Sequence, residues 1–139
     1  MTIPGIGFSQ TLAGITGEEL EGFFAGWKRR PSPSLRLSVL QASHRVVIAR
    51  DSETQAIAGF ATAVTDDVIA AYITLLEVLP GYRQRGIGSE LLRRIVDALG
   101  PLYMIDALCD EQVVSFYQRA GFNAAVGMTR RNPAALGDG

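Results

Sequence analysis

The chain has 139 residues, 47% of them apolar and 19% charged, which is the composition of a folded globular protein and a length that fits one domain over 1–139. Thirteen basic against 14 acidic residues leave a formal charge of −1, so no basic footprint marks a nucleic-acid or membrane partner. A single cysteine, Cys109, excludes an internal disulfide framework and a multi-cysteine zinc site, and the lone His44 leaves one candidate for any Ser/His or Cys/His pair.

Read in chain order, Thr16-Gly17-Glu18-Glu19 has the form of a capping box. Leu20, Phe23, Phe24 and Trp27 follow at helical spacing, so a helix is expected there, with Lys28, Arg29 and Arg30 at its negative end and Pro31 closing it. The stretch 34–43 fits strand or helix and is read as helix. Arg45–Arg50 and Gln55–Val64 read as two strands of a hairpin joined through Asp51-Ser52-Glu53-Thr54. Asp66-Asp67 is the next turn, and Val68–Leu79 is a third, β-prone run that stops at Pro80-Gly81.

The period then changes. Ile87, Leu91, Leu92, Ile95, Val96 and Leu99 form one helical face, and Gly100-Pro101 ends it. Leu102–Leu108 reads as a buried-type strand. Asp110 is placed to cap a short helix carrying Phe116 and Tyr117, stopped by Gly121. Phe122–Arg131 reads as a final hairpin, and 132–139 as a frayed tail. No apolar run has membrane-spanning length and the N-terminus lacks a secretion-signal layout, so the expectation is a cytoplasmic protein. Together these elements give a mixed α/β sheet: N-terminal helices, a β-meander, then β-α-β-α-β.

The most informative segment is Arg83-Gln84-Arg85-Gly86-Ile87-Gly88, between a strand and an amphipathic helix. The first N–H groups of a helix lack intrahelical partners and lie at the positive end of its dipole. Glycines let such a backbone approach a phosphate closely, and Ser89 adds a hydroxyl. A dinucleotide fingerprint would need a third small residue where Leu91 stands, and a P-loop would need a lysine, which is missing here.

With the preceding Leu76-Glu77-Val78-Leu79-Pro80, this segment resembles the acetyl-CoA motif of the GNAT superfamily of N-acetyltransferases, Gln/Arg-x-x-Gly-x-Gly/Ala after a Val-x-Pro strand end. Phe116-Tyr117-Gln118-Arg119-Ala120-Gly121-Phe122 resembles the same superfamily's downstream Phe-Tyr-x-x-x-Gly-Phe signature. The resemblance covers about Arg45 to Arg131 and is looser before that. It implies a sheet whose central strands splay apart, with acetyl-CoA as co-substrate and no metal. The pantetheine arm would pair with the backbone of Leu76, Glu77 and Val78. The pyrophosphate would sit on the N–H groups of Arg85, Gly86, Ile87, Gly88 and Ser89, with Arg83 and Gln84 alongside. Tyr117 matches the family's tyrosine, which protonates the leaving thiolate. The implied acceptor is an amine on a small molecule, a protein N-terminus or a lysine, and homodimers are a family habit.

Three carboxylates, Glu77, Asp106 and Asp110, and a water chain all stand open as the base. Glu77 sits among apolar neighbours, where burial raises a carboxyl's pKa, but as an alternating residue it also fits an outward-facing position. Asp106 falls in the apolar run, where a carboxylate must be paired, and Asp110 suits a helix cap. Cys109 reads as filler and His44 as turn packing. Trp27 and Phe24 fit either an acceptor wall or core. Beside the enzyme stands a second possibility, a module of the same fold that binds acyl-CoA and catalyses little.

Overall fold

The computed structural model describes residues 2–137. Five strands form one sheet in sequential order: β1 (Ile6–Ser9), β2 (Arg45–Asp51), β3 (Ile57–Thr65), β4 (Ala70–Val78) and β5 (Met104–Ala107). The pairs from β1 to β4 are antiparallel, and β4 with β5 is parallel. Helix α1 (Pro33–Ala42) covers one face; α2 (Ile87–Leu99) and the short α3 (Val114–Arg119) lie on the other. The meander follows from its turns. Asp51 Oδ1 accepts the N–H groups of Glu53 and Thr54, and Asp66 Oδ1 those of Val68, Ile69 and Ala70, so each carboxylate closes a tight reversal.

Both faces of the sheet are buried. In β2, Val47 and Ala49 join the α2 side while Val46 and Ile48 join the α1 side. The α2 stripe of Ile87, Leu91, Leu92, Ile95 and Leu99 is at most 5% exposed, and each such side chain contributes about 1.5–3 kcal/mol on burial. Glu90 is buried in the same helix. The guanidinium groups of Arg93 and Arg94 hold its carboxyl down at about 2.

A bulge in the β3–β4 ladder decides the parity of β4. Thr62 pairs with Leu75, but Ala63 pairs with Ile73, leaving Thr74 as the extra residue. The hydroxyls of the buried Thr62 and the half-buried Thr74 meet there at 2.6 Å. Beyond the bulge, Leu76 and Val78 pack toward α2, while Leu75 and Glu77 turn toward the α1 side.

Five expectations need correction. The chain opens on a strand, β1, which the sequence reading missed. The helix expected from Thr16 through Trp27 is only a 3₁₀ turn over Gly17–Leu20, although the Thr16 N–H to Glu19 carboxylate bond of its capping box is present. Gly22, Phe24 and Gly26 then take positive φ (+93°, +62° and +84°), which no helix permits, and Lys28–Arg30 end no helix. Strand β5 is half-open rather than buried, with Met104 and Asp106 exposed, because it is the sheet's edge. The final hairpin over Phe122–Arg131 is not formed, so the last strand of the expected β-α-β-α-β order is absent among the described residues. In the tail, Pro133–Leu136 makes a 3₁₀ turn, and Arg29 donates to the carbonyls of Pro133 and Gly137. Residues 138–139 lie outside the described residues.

Candidate active site

Strand β4 is the backbone of the site. Its ladder to β5 runs only from Ala70–Met104 to Ile73–Ala107, yet β4 continues to Val78. From Thr74 to Val78 the side of β4 that faced β5 is therefore without a strand. Directly beyond lies the turn into α2. Gln84 at φ +63° and Gly86 at φ +83° reverse the chain, and Gly86 is the N-cap with no side-chain cap bond. The N–H groups from Gln84 through Ser89 have no hydrogen-bond partner among the described residues; the first bond of the helix is Glu90 N–H to the Gly86 carbonyl, at 3.1 Å. Six consecutive donors thus remain free at the positive end of a thirteen-residue helix.

The two arginines of the turn brace it. Arg83 Nε donates to the Val78 carbonyl at 3.1 Å, Arg85 reaches the Pro4 carbonyl and lies over the Tyr82 ring, and the Tyr82 hydroxyl donates to Asp51 Oδ2 at 2.8 Å. Both guanidinium groups are thus engaged with the frame of the turn, beside its backbone N–H groups. Ser89 opens into a cavity of about 320 Å³ between α2 and α3, also lined by Arg93, Phe116 and Arg119. Arg93 and Arg119 were missed by the sequence reading. Arg119 is one of the variable positions inside the Phe-Tyr-x-x-x-Gly-Phe signature, which hid it.

Tyr117 stands on the α2–α3 side, edge-on to Phe116 and Phe122 and packed against the cluster holding Leu76 and Val78. Half-burial pushes its phenol pKa up, with Cys109 and Tyr72 adding to the effect, so it stays protonated at neutral pH. Tyr117 shares an open cleft of about 1100 Å³ with Tyr72, Asp106, Cys109 and Met128. Tyr72, directly opposite Asp106 in the β4–β5 ladder, had no motif to reveal it.

Glu77 lies on the other face of β4, so the structure does not bring it beside Tyr117. The bulge at Thr74 turns it toward the 22–27 loop, and neither face of β4 is an outward one here. Glu77 Oε1 accepts the Phe24 N–H at 3.0 Å. Burial raises its carboxyl above the ordinary value, against the opposing pull of that N–H and of the Arg83 and Arg30 guanidinium groups. Phe24 is buried and Trp27, edge-on to it, is 42% exposed. Asp106 is exposed on β5 and needs no buried partner, while Asp110 occupies an N-cap position without a cap bond. Cys109 is exposed, and His44 Nδ1 accepts the Thr65 N–H at 3.0 Å, tying β2 to the end of β3.

The family model for the acetyltransferase (GNAT) family matches residues 12–122. A Glycine max protein named histone acetyltransferase TAP1 is 33% identical over 109 residues, covering 71% of this chain and 47% of that protein. The chloroplastic GCN5-related N-acetyltransferase 2 of Arabidopsis thaliana is 30% identical over 118 residues, covering 71% of this chain and 46% of its own length. This chain therefore spans about half the length of the curated relatives it matches. Among solved structures, a candidate acetyltransferase from Deinococcus radiodurans R1 superposes with a TM-score of 0.91 at 40% identity, covering 98% of this chain and 94% of the other. A GNAT-family protein from Streptococcus pneumoniae TIGR4 shares the fold at a TM-score of 0.74 and 23% identity, with 91% and 98% covered.

Proposed function

The chain belongs to the acetyltransferase (GNAT) family, and from that premise we propose that it moves an acetyl group from acetyl-CoA to a primary amine by direct attack within a ternary complex. The observation that carries this reading is the run of free N–H groups from Gln84 to Ser89, continuous with the unpaired side of β4 from Thr74 to Val78. A diphosphate needs several donors at a point of positive potential, and the start of α2 supplies both. A pantetheine arm carries amides, and the unpaired backbone around Leu76, Glu77 and Val78 suits them as a strand would. Gly86, Ile87, Gly88 and Ser89 would hold the phosphates, with Arg85 and Gln84 completing the row and Arg83 fixing the loop to β4.

The bound thioester supplies an electrophilic carbonyl and a thiolate leaving group. A β4 N–H between Leu76 and Val78 is suited to the charge that develops on the carbonyl oxygen. Tyr117, kept protonated by burial, gives its proton to the departing sulfur. Glu77 takes the proton of the attacking amine. Its Oε1 is engaged by Phe24, but Oε2 has no bond among the described residues and is left for the amine or an intervening water. The two residues then work from opposite faces of β4, one on the acceptor side and one on the thiol side. The acceptor is an amine of a small molecule or of a protein; the histone acetyltransferase name of one relative keeps a lysine side chain among the candidates.

The engaged Glu77 oxygen also favours a second reading, an acyl-CoA-binding module with little turnover. A thermal-shift titration with acetyl-CoA, CoA, NAD and ATP tests the cradle first. Saturation a hundredfold above the dissociation constant adds about 2.7 kcal/mol, several degrees for a domain of this size. A shift with acetyl-CoA and CoA alone supports the site, and release of CoA with any member of an amine panel then separates enzyme from module. No shift with either ligand overturns both readings.

A further inference from the structure

Glu77 has a cationic neighbour that the acetyl-transfer step leaves unused. One peptide unit, Phe23–Phe24, organises the pair. Its N–H donates to Glu77 Oε1 at 3.0 Å, and its carbonyl accepts from Arg30 Nη2 at 2.9 Å. The C=O and N–H of a trans peptide point in opposite directions, so the carboxylate and the guanidinium are set about 7 Å apart. They do not pair with each other, and Glu77 enters no ion pair among the described residues.

The Arg30 guanidinium is far from satisfied. Five N–H donors are available on such a group, and Arg30 makes one hydrogen bond. Its Nε is buried without a partner among the described residues, and its Nη1 stands 3.7 Å from Glu21 Oε1, beyond a hydrogen bond. The nearby Arg36 behaves differently. It is 5% exposed and donates to the carbonyls of Pro31 and Leu20 and to Glu21 Oε2. Arg36 is thus consumed by the chain, whereas the Arg30 side chain is 39% exposed and holds a single carbonyl. Arg83 is a second open cation. It is exposed, and only its Nε is bonded, to the Val78 carbonyl. Both guanidinium groups lie close enough to Glu77 to pull its carboxyl down against the burial that raises it. Trp27, edge-on to Phe24 and part-exposed, stands in the same turn.

We propose that the acceptor carries an anionic group, a carboxylate or a phosphate, a few bonds from its amine, and that Arg30, with Arg83 beside it, selects that group while the amine meets Glu77. The proposal rests on the acetyl-transfer reading and narrows its acceptor to amines such as α-amino acids and aminoalkyl phosphates. In an α-amino acid the nitrogen and a carboxylate oxygen are about 3 Å apart. With a charge-assisted hydrogen bond at each end the contacts reach about 8 Å, enough to join the two groups. An amine without a nearby anion leaves both guanidinium groups unmatched.

The test is CoA release by the full chain with matched acceptors, each α-amino acid against its amide and each aminoalkyl phosphate against its amino alcohol. The anionic member is expected to exceed its partner in kcat/KM by about tenfold or more, mainly through KM, and by less at high salt. Arg30→Gln is expected to bring that ratio to about one, and Arg30→Lys, which keeps the charge without the planar fork, to retain part of it. A ratio taken within one preparation is unaffected by a loss of folded protein. A preference confined to the carboxylate pairs or to the phosphate pairs supports the proposal and identifies the anion. Equal rates in every pair, or a preference that survives Arg30→Gln, overturn the proposal and leave acetyl transfer standing. If no amine releases CoA, thermal shifts of the CoA-loaded protein by the same pairs decide. A shift by the anionic members alone supports the anion site while acetyl transfer falls, and no shift overturns both.

Discussion

Two glycine-bearing turns border β4, and they use their backbone donors in opposite ways. The 22–27 turn reverses through positive φ at Gly22, Phe24 and Gly26, but three of its donors are turned inward: Phe23 N–H to the Leu20 carbonyl, Phe24 N–H to Glu77, Trp27 N–H to the Phe24 carbonyl. Its aromatic rings fill the α1-side core against Phe60. The 83–89 turn reverses through Gln84 and Gly86, carries no ring into the core, and leaves six donors free. Glycines and positive φ alone therefore do not make a binding loop. What separates the two is whether aromatic side chains of the turn are buried: anchored by Phe23 and Phe24, the 22–27 turn spends the N–H groups of Phe23, Phe24 and Trp27 on internal bonds.

Breaking the closed turn should have the largest effect. Phe23 is fully buried, so Phe23→Ala is expected to cost about 3–5 kcal/mol in denaturant unfolding, with acetyl-CoA affinity preserved in whatever fraction folds. Tyr117→Phe lies on the open side and leaves no partner stranded. Stability and acetyl-CoA affinity should hold while turnover falls about a hundredfold, the contribution of a positioned acid. An unchanged rate removes Tyr117 from the chemistry.

Glu77 joins the two turns, and two substitutions sharpen its part. Glu77→Ala strands the Phe24 N–H and should cost about 1–3 kcal/mol, whereas Glu77→Gln keeps an acceptor for it and should stay near wild-type stability while losing turnover. Because burial raises the folded-state pKa above 4.5, the stability linked to Glu77 is fully present below 4.5 and is lost as pH rises through the raised value. Wild type should thus gain on Glu77→Gln as the pH falls across that window, by under about 1 kcal/mol for a half-exposed group. Equal pH profiles for the two proteins would remove this titration. The smallest effect is expected at the open turn. Gly86→Ala meets a φ of +83° but no crowding neighbour, and should cost about 1 kcal/mol of stability while weakening acetyl-CoA several-fold.

Much of this was legible in the sequence. The meander, α2 and the Gly-rich turn were readable because local rules suffice for them: an aspartate at each reversal, an apolar stripe of period 3.6, a glycine where φ is positive. The 16–27 helix was misread because Leu20, Phe23, Phe24 and Trp27 have helical spacing, and spacing does not reveal that Gly22 and Gly26 bend the chain so that Phe23 and Phe24 reach Phe60. The orientation of Glu77 was open because a bulge at Thr74, invisible in composition, reverses the parity of β4.

The sequence by itself determined the elements whose stability is local and the motif whose donors come from the backbone, since both depend on neighbours a few residues apart. Long-range packing settled which face Glu77 occupies, that β5 is the sheet's edge, and that 123–131 forms no strand among the described residues. Those features depend on contacts between residues far apart in the chain, such as Thr62 with Thr74 across the ladder and Phe24 with Glu77 across the core, which no short window of sequence encodes.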